Sequence, residues 1–213
     1  MDKWIDRHHA GCALSGYLKP YANQCNTMVL ALPRGGVPVA YEIARSLTLP
    51  LDVFVVRKLG VPKHEEFAMG AIASGGSIIL NDSVIQDLNL NQRMIDAVVQ
   101  AEQAELKRRE FLYRGMRVVS EVYGKTIILV DDGIATGSSM MAAILALQDL
   151  HPLKIVVAVP VASEDSYQTI ASLVDELVCP LIPHTFYAVG QWYEQFLQIT
   201  DDEVVALLEN AQS

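Results

Sequence analysis

The run Ile127-Ile128-Leu129-Val130-Asp131-Asp132-Gly133-Ile134-Ala135-Thr136-Gly137-Ser138-Ser139 constrains this chain more than any other feature. Four apolar residues stop at two carboxylates, a loop of small residues follows, and a helix-forming stretch begins. The pattern predicts a buried strand, a tight loop and a helix whose first N–H groups face that loop. Alone, a strand ending in Asp-Asp-Gly is as often a plain turn as a site. The Thr136-Gly137-Ser138-Ser139 continuation favours a site. Small residues let consecutive N–H groups converge, and three hydroxyls add donors for phosphate oxygens. Asp131 and Asp132 cannot bind phosphate directly. They suit sugar hydroxyls, or a Mg2+ ion held through water.

Around this run, apolar strand patterns alternate with helical periodicity over 27–179. The alternation predicts an α/β fold, a central and mainly parallel sheet flanked by helices. A first helix is expected over 5–19, a strand over 27–32, a helix over 37–47 and a second strand over 52–57. Residues 58–66, with Gly60 and Pro62, read as a loop, and 67–80 as a hairpin around Ser74-Gly75-Gly76-Ser77. The longest helical signal covers 91–114, with Met94, Ala97, Val98, Ala101, Ala104 and Leu112 supplying an apolar stripe. Its charges, Glu105/Arg109 and Glu110/Arg114 among them, read as a solvated face. Thr200 to Glu203 form a capping box that opens a last helix. The 213 residues suit one domain. In open parallel sheets ligands sit outside the carboxyl ends of the strands. Arg34-Gly35-Gly36, Arg57-Lys58 and 131–139 each follow an expected strand and should converge at one edge.

Bulk properties narrow the partners. With 16 Lys+Arg against 25 Asp+Glu the net charge is −9, which disfavours a nucleic-acid partner. A small phosphorylated ligand needs only a few focused donors and is compatible with that charge. No apolar stretch reaches membrane-spanning length and the N-terminus lacks a signal-peptide core, so no membrane partner and a soluble, cytoplasmic protein are expected. Cys12, Cys25 and Cys179 show no metal or disulfide spacing and read as buried small hydrophobes. Walker A, GxGxxG, GxSxG and HExxH patterns are all absent from the sequence.

The 127–139 run resembles the phosphoribosyl pyrophosphate (PRPP) signature of the type I phosphoribosyltransferases, and Pro33-Arg34-Gly35-Gly36 resembles that family's pyrophosphate loop. Arg57-Lys58-Leu59-Gly60 and the 186–193 segment extend the similarity, over nearly all of the chain, to a bacterial subgroup of predicted phosphoribosyltransferases. The resemblance implies a core over about 27–180, a lid from Gly60 to Glu66 and the hairpin to Ser77, and a small hood from 1–20 and 181–213. It implies that Asp131 and Asp132 hold the ribose hydroxyls, and that Gly133 and Ala135 to Ser139 (Ala135, Thr136, Gly137, Ser138, Ser139) cradle the 5′-phosphate. Arg34, Gly35 and Gly36 would bind pyrophosphate, with a strained or cis peptide near Arg34, and Lys58 or Arg57 would add a cation. Mg2+ would bridge pyrophosphate and ribose. Asp131, Asp132 and Arg34 would carry the chemistry, and a homodimer is expected because dimers are common on this fold.

Two positions depart from the 6-oxopurine members. Ala135 stands where those enzymes keep an Asp as base, and 155–160 lacks their Lys. Hypoxanthine and guanine are therefore not expected as ordinary acceptors. The segment Phe186 to Phe196 is aromatic-rich in a chain only 7% aromatic. Trp192, Tyr187 or Tyr193 could stack on a planar acceptor, or the cluster could simply pin the C-terminal helices. Glu194 and Glu66 are weaker candidates for a base. A catalytic transferase leads, with a non-catalytic PRPP or nucleotide sensor, or a hydrolase or phosphorylase of a ribose phosphate, as alternatives.

Overall fold

The computed structural model describes residues 3–62, 64–115 and 120–211, with the backbone alone at Glu65–Phe67. Its helices are α1 (Arg7–Tyr17), α2 (Gly36–Leu47), α3 (Asp82–Asp87), α4 (Gln92–Arg114), α5 (Ser138–Asp149), α6 (Glu164–Ala171) and α7 (Asp201–Asn210). Its strands are β1 (Thr27–Ala31), β2 (Leu51–Val53), β3 (Val56–Val61), β4 (His64–Ala73), β5 (Ile78–Leu80), β6 (Thr126–Val130), β7 (Lys154–Ala158) and β8 (Glu176–Val178).

Five strands form the central sheet in the order β2-β1-β6-β7-β8, every pair parallel. Strands β1 and β6 are buried at every position, as central strands covered on both faces must be. One face packs Val29, Ile128 and Val156 against α2 and α7, together with Leu14 of α1. The other packs Ile127, Leu129 and Val157 against Met140, Ile144 and Leu147 of α5 and Ile170 of α6. The expected α/β architecture is therefore present. The capping box at Thr200 and Glu203 is formed, and Ser163 caps α6.

The second expected strand is divided. β2 ends at Val53, and the chain re-pairs from Val56 in a separate antiparallel sheet, β3-β4-β5. The apolar run 53–56 has no period that could mark the switch. It is made by distant groups: Ser74 Oγ accepts from Val55 N at 2.9 Å, and Arg114 donates to Val53 O. The segment expected as a loop over 58–66 is instead mostly strand. Its Gly60 marks a register shift rather than a loop, since glycine suits a β-bulge. The hairpin around Ser74–Ser77 is present, and Lys63 and the Glu66 side chain lie outside the described residues.

Helix α4 has its expected length but buries a different stripe. Ile95, Leu106, Tyr113 and Arg114 are buried, whereas Ala97, Ala101, Ala104 and Leu112 are exposed. Bulky side chains remove more apolar area from water than alanines, so their face turns inward. Arg114, expected on a solvated face, is 5% exposed and pairs with Asp52 at 2.8 Å and Glu110 at 2.9 Å. Cys12 and Cys25 are exposed rather than buried. Among the described residues no helix is long and apolar enough to cross a membrane.

Candidate functional site

Asp131 and Asp132 stand at the carboxyl end of β6, one strand from the Pro33-Arg34-Gly35-Gly36 turn that leaves β1. Leu32 N donates to Val130 O at 2.9 Å, so the two loops start side by side. They then touch. A Cβ on Gly35 would lie 2.1 Å from Asp132 Oδ2, and one on Gly36 would lie 2.6 Å from Val130 O. Only residues without side chains let the turn approach the acids this closely. The Pro33–Arg34 peptide is cis, in line with the expectation for this turn.

The carboxylates have unequal surroundings. Asp131 Oδ1 accepts from Asp132 N at 2.8 Å. Burial pushes the Asp131 carboxyl well above its ordinary range, and the neighbouring Asp132 charge pushes it further. Burial also raises Asp132, but the Arg7 guanidinium opposes it. Arg7 Nε donates to Asp132 Oδ2 at 2.7 Å, and Nη1 donates to Leu197 O at 2.7 Å. The same guanidinium lies 3.8 Å from the centre of the Phe196 ring. Tyr193 OH donates to Asp132 O at 2.6 Å, and burial pushes that phenol upward.

The loop beyond the acids is pinned from below. Ile134 N donates to Val161 O, and Ser163 N donates to Ile134 O. The hydroxyls of Ser163 and Ser166 both donate to Ala135 O, at 2.8 and 2.7 Å. Gly137 takes φ +75° at the start of α5, a left-handed conformation that suits glycine. Ala135, Thr136, Ser138 and Ser139 remain exposed. With Asp131, Gly133 and Val189 they line a cavity of about 200 Å3. On the other side of the acids, Arg7, Arg34, Gly35, Asp132 and residues 196–199 line a cavity of about 370 Å3. Arg34 Nη1 lies 3.8 Å from Asp201 Oδ1, which also accepts from Tyr113 OH at 2.7 Å.

Arg34-Gly35-Gly36 and the whole of 131–139 are thus brought together. Lys58 is not brought with them. Because β3 belongs to the second sheet, Lys58 lines a separate cavity of about 740 Å3 beside α4, with Arg57 and Arg93. Arg57 pairs with Glu102 at 2.7 Å.

Two of the three candidate stacking residues, Tyr187 and Trp192, also fall outside both cavities. Tyr187 is 84% exposed. Trp192 sits in a 3-10 turn, Val189–Trp192, with its Nε1 buried and unpaired among the described residues. Its backbone accepts from Trp4 N, and Glu194 N donates to Trp4 O. The segment is tied by backbone hydrogen bonds to Trp4 and Ile5 near the start of the chain, a link that neither expected reading had named. Val189, Tyr193 and Phe196 are its members that reach the site.

Arg7 is the residue that sequence reasoning missed. Its signal was available. It precedes Ala10 and Leu14 by three and seven positions, on the buried stripe of α1. An arginine on such a stripe requires a buried partner. The partner is 125 positions away, at Asp132.

Among the described residues no group of three or more His, Cys, Asp or Glu is placed to hold a metal. The two carboxylates nevertheless fit Mg2+, which commonly takes one or two carboxylates and completes its shell with water and substrate phosphates.

Comparison with known proteins places this geometry. The model of the phosphoribosyl transferase domain matches residues 10–193. Two curated proteins from Mycobacterium tuberculosis strains, provisionally described as phosphoribosyl transferases, are 45% identical over 211 residues, 99% of this chain. The chain spans 47% of their length. The crystal structure of a Thermus thermophilus protein is similar at 38% identity and TM-score 0.86, covering 98% of each chain. A protein of Aquifex aeolicus shares the fold alone, at 12% identity and TM-score 0.51, over 86% of this chain and 78% of that one. A β6–α5 loop that joins two acids to a hydroxyl-rich helix start, an Arg-Gly-Gly turn pressed against those acids, and these matches agree: the chain belongs to the phosphoribosyl transferase domain family.

Proposed function

We propose that this protein transfers a phosphoribosyl group from PRPP to a nitrogenous acceptor and releases pyrophosphate. The observation that carries this reading is the contact between Gly35-Gly36 and the acid pair. A binder of a sugar monophosphate needs the 131–139 loop but not an arginine-bearing turn packed against it. The 5′-phosphate takes the N–H groups and hydroxyls at 135–139, and the ribose hydroxyls bond Asp131 and Asp132. Pyrophosphate takes Arg34 and the N–H of Gly35; the Gly36 N–H is donated to Leu32 O at 3.1 Å and holds the turn in shape. To reach pyrophosphate, Arg34 exchanges its contact with Asp201 for a phosphate oxygen.

In the reaction the bond between C1′ and the pyrophosphate oxygen breaks with its electron pair leaving on pyrophosphate. The acceptor nitrogen bonds C1′ and gives up its proton to the departing pyrophosphate or to water. Positive charge develops on the sugar beside the acid pair, and negative charge develops near Arg34. Charges placed in advance where charge develops lower the barrier, by about 3–4 kcal/mol for a single well-placed donor. Asp131 and Asp132 would hold Mg2+ partly through water, and the ion would neutralise the leaving group. The Ala135 position leaves no acid at the loop to act as base, so hypoxanthine and guanine are poor acceptors.

The test is pyrophosphate release from PRPP and Mg2+ with a panel of bases. Release that depends on one base supports transfer. PRPP binding without turnover would identify a sensor on the same fold instead. With Asp131→Asn and Asp132→Asn combined, unchanged PRPP affinity would refute the ribose placement.

A further inference from the structure

Each member of the acid pair spends one carboxylate oxygen on the protein and keeps the other. Asp131 Oδ1 accepts from Asp132 N, which leaves Oδ2 without a hydrogen-bond partner among the described residues. Asp132 Oδ2 is turned toward the Arg-Gly-Gly turn, 2.1 Å from where a Gly35 Cβ would lie, and accepts from Arg7 Nε at 2.7 Å. Its Oδ1 is left open in the same way. A carboxylate is an acceptor alone, and a vicinal diol offers two O–H donors. Two acids with one open oxygen each therefore match the two hydroxyls of a ribose.

What fixes the two acids differs. Asp131 is held by the backbone next to it, a bond internal to the loop. Asp132 depends on a side chain 125 positions away, and among the described residues no other side chain bonds its carboxylate. The last torsion of a carboxylate side chain is broad and two-fold, so an unheld carboxylate does not keep a given oxygen on a given side. Arg7 is itself held. Its Nη1 donates to Leu197 O at 2.7 Å, and the guanidinium lies 3.8 Å from the centre of the Phe196 ring. Tyr193, packed on Phe196 with ring centres 5.0 Å apart, donates to the backbone carbonyl of the same Asp132. With side chains only 9% and 14% exposed, Arg7 and Asp132 are not one of the surface ion pairs that contribute little. Helix α1 and the 193–197 segment thus set the carboxylate that the β6 loop presents.

We propose that Arg7 is a positioning residue for sugar recognition: by holding Asp132 Oδ2 it keeps the other oxygen available to a ribose hydroxyl, and so makes the site distinguish ribose from deoxyribose phosphates. A site that bonds a hydroxyl rejects the analogue lacking it, because the site's own acceptor is then left unpaired. That penalty requires the acceptor to stay where the hydroxyl would be. A carboxylate free to turn escapes the penalty by facing water, and its selectivity goes with it. The inference rests on the ribose placement of the transferase reading above and deepens it.

Calorimetric titration without Mg2+ reads the contact on its own, with ribose 5-phosphate, 2-deoxyribose 5-phosphate and 3-deoxyribose 5-phosphate as probes. Wild type should bind ribose 5-phosphate at least about tenfold more tightly than one of the deoxy sugars, the size of one hydrogen bond to a charged group. Arg7→Met should cut that ratio to below about threefold while changing affinity for that deoxy sugar less than about twofold, since the phosphate loop is untouched. A merely structural role would weaken all three probes together and keep the ratio. Arg7→Lys, which keeps a charge beside Asp132 but not the planar fork that also reaches Leu197 O, should give an intermediate ratio. A wild-type ratio in Arg7→Met, or in Arg7→Lys should Arg7→Met not fold, overturns the proposal. So does tighter binding of ribose 5-phosphate by Arg7→Met, which would make Arg7 a competitor for Asp132 rather than its support. Equal binding of all three probes by wild type, or binding of none, removes the ribose placement itself and the proposal with it, a distinguishable result.

Discussion

The carboxylate pair shows how residue-level energetics serve a site at the expense of the fold. Asp131 is half-buried beside a second carboxyl, and its proton is held more tightly than in the unfolded chain. The folded state then binds more protons than the unfolded state above about pH 4, the ordinary Asp value. Stability therefore falls as pH rises from there through the raised folded value. Asp131→Asn removes this penalty. It should raise Tm at neutral pH, with the gain vanishing below about pH 4; for a chain of this size 1 kcal/mol corresponds to about 2–4 °C. The same variant should bind PRPP more weakly, so thermal scans and dialysis should move in opposite directions. Gly35 makes the complementary case. Gly35→Ala would place a Cβ against Asp132 Oδ2. Overpacking of this kind costs about 1–3 kcal/mol. The variant should lose that in urea unfolding and lose PRPP affinity as well. The need for glycine there is invisible locally, because Asp132 is 97 positions away.

At the scale of elements, helix α4 is anchored by a charge rather than by its alanines. Arg114 reaches Asp52, the carbonyl of Val53 and Glu110, and so ends β2 and frees the chain to enter the second sheet. Arg114→Met leaves Asp52 buried without its cation, which should cost about 3–5 kcal/mol. Adding Asp52→Asn should restore a substantial part of the loss, and a double-mutant cycle in urea would measure the coupling. Helix α7 presents Asp201 from its first turn, behind the capping box at Thr200. Thr200→Ala should cost about 1 kcal/mol by chemical denaturation. The capping box was legible because its partners are three positions apart. The division of 52–57 was not, because the groups that divide it come from Ser74 and Arg114.

At the scale of the molecule, the site is assembled from five places in the chain: α1, the turn after β1, the loop after β6, the 3-10 turn at 189–192, and residues 193–199. Ligand that binds only this assembly stabilises the whole. PRPP with Mg2+ at 100 times its dissociation constant should add about 2.7 kcal/mol. That should raise Tm by about 5–11 °C at the rate of 2–4 °C per kcal/mol expected for this length. A shift absent with wild type would count against the donor assignment. A shift retained in the double Asp variant would count against the ribose placement alone.

The sequence by itself determined the alternating β/α order, the parallel sheet and the strand–loop–helix at 127–139. Each rests on short-range pattern: an apolar run, a break at two acids, small residues at a helix start. The Arg-Gly-Gly turn was legible for the same reason. Only the tertiary structure decided that Arg7 meets Asp132, that Lys58 and Tyr187 lie away from the two cavities, and that Arg114 is buried. Those outcomes depend on which distant surfaces bury the most apolar area and which buried charges find partners. No local spacing encodes either choice.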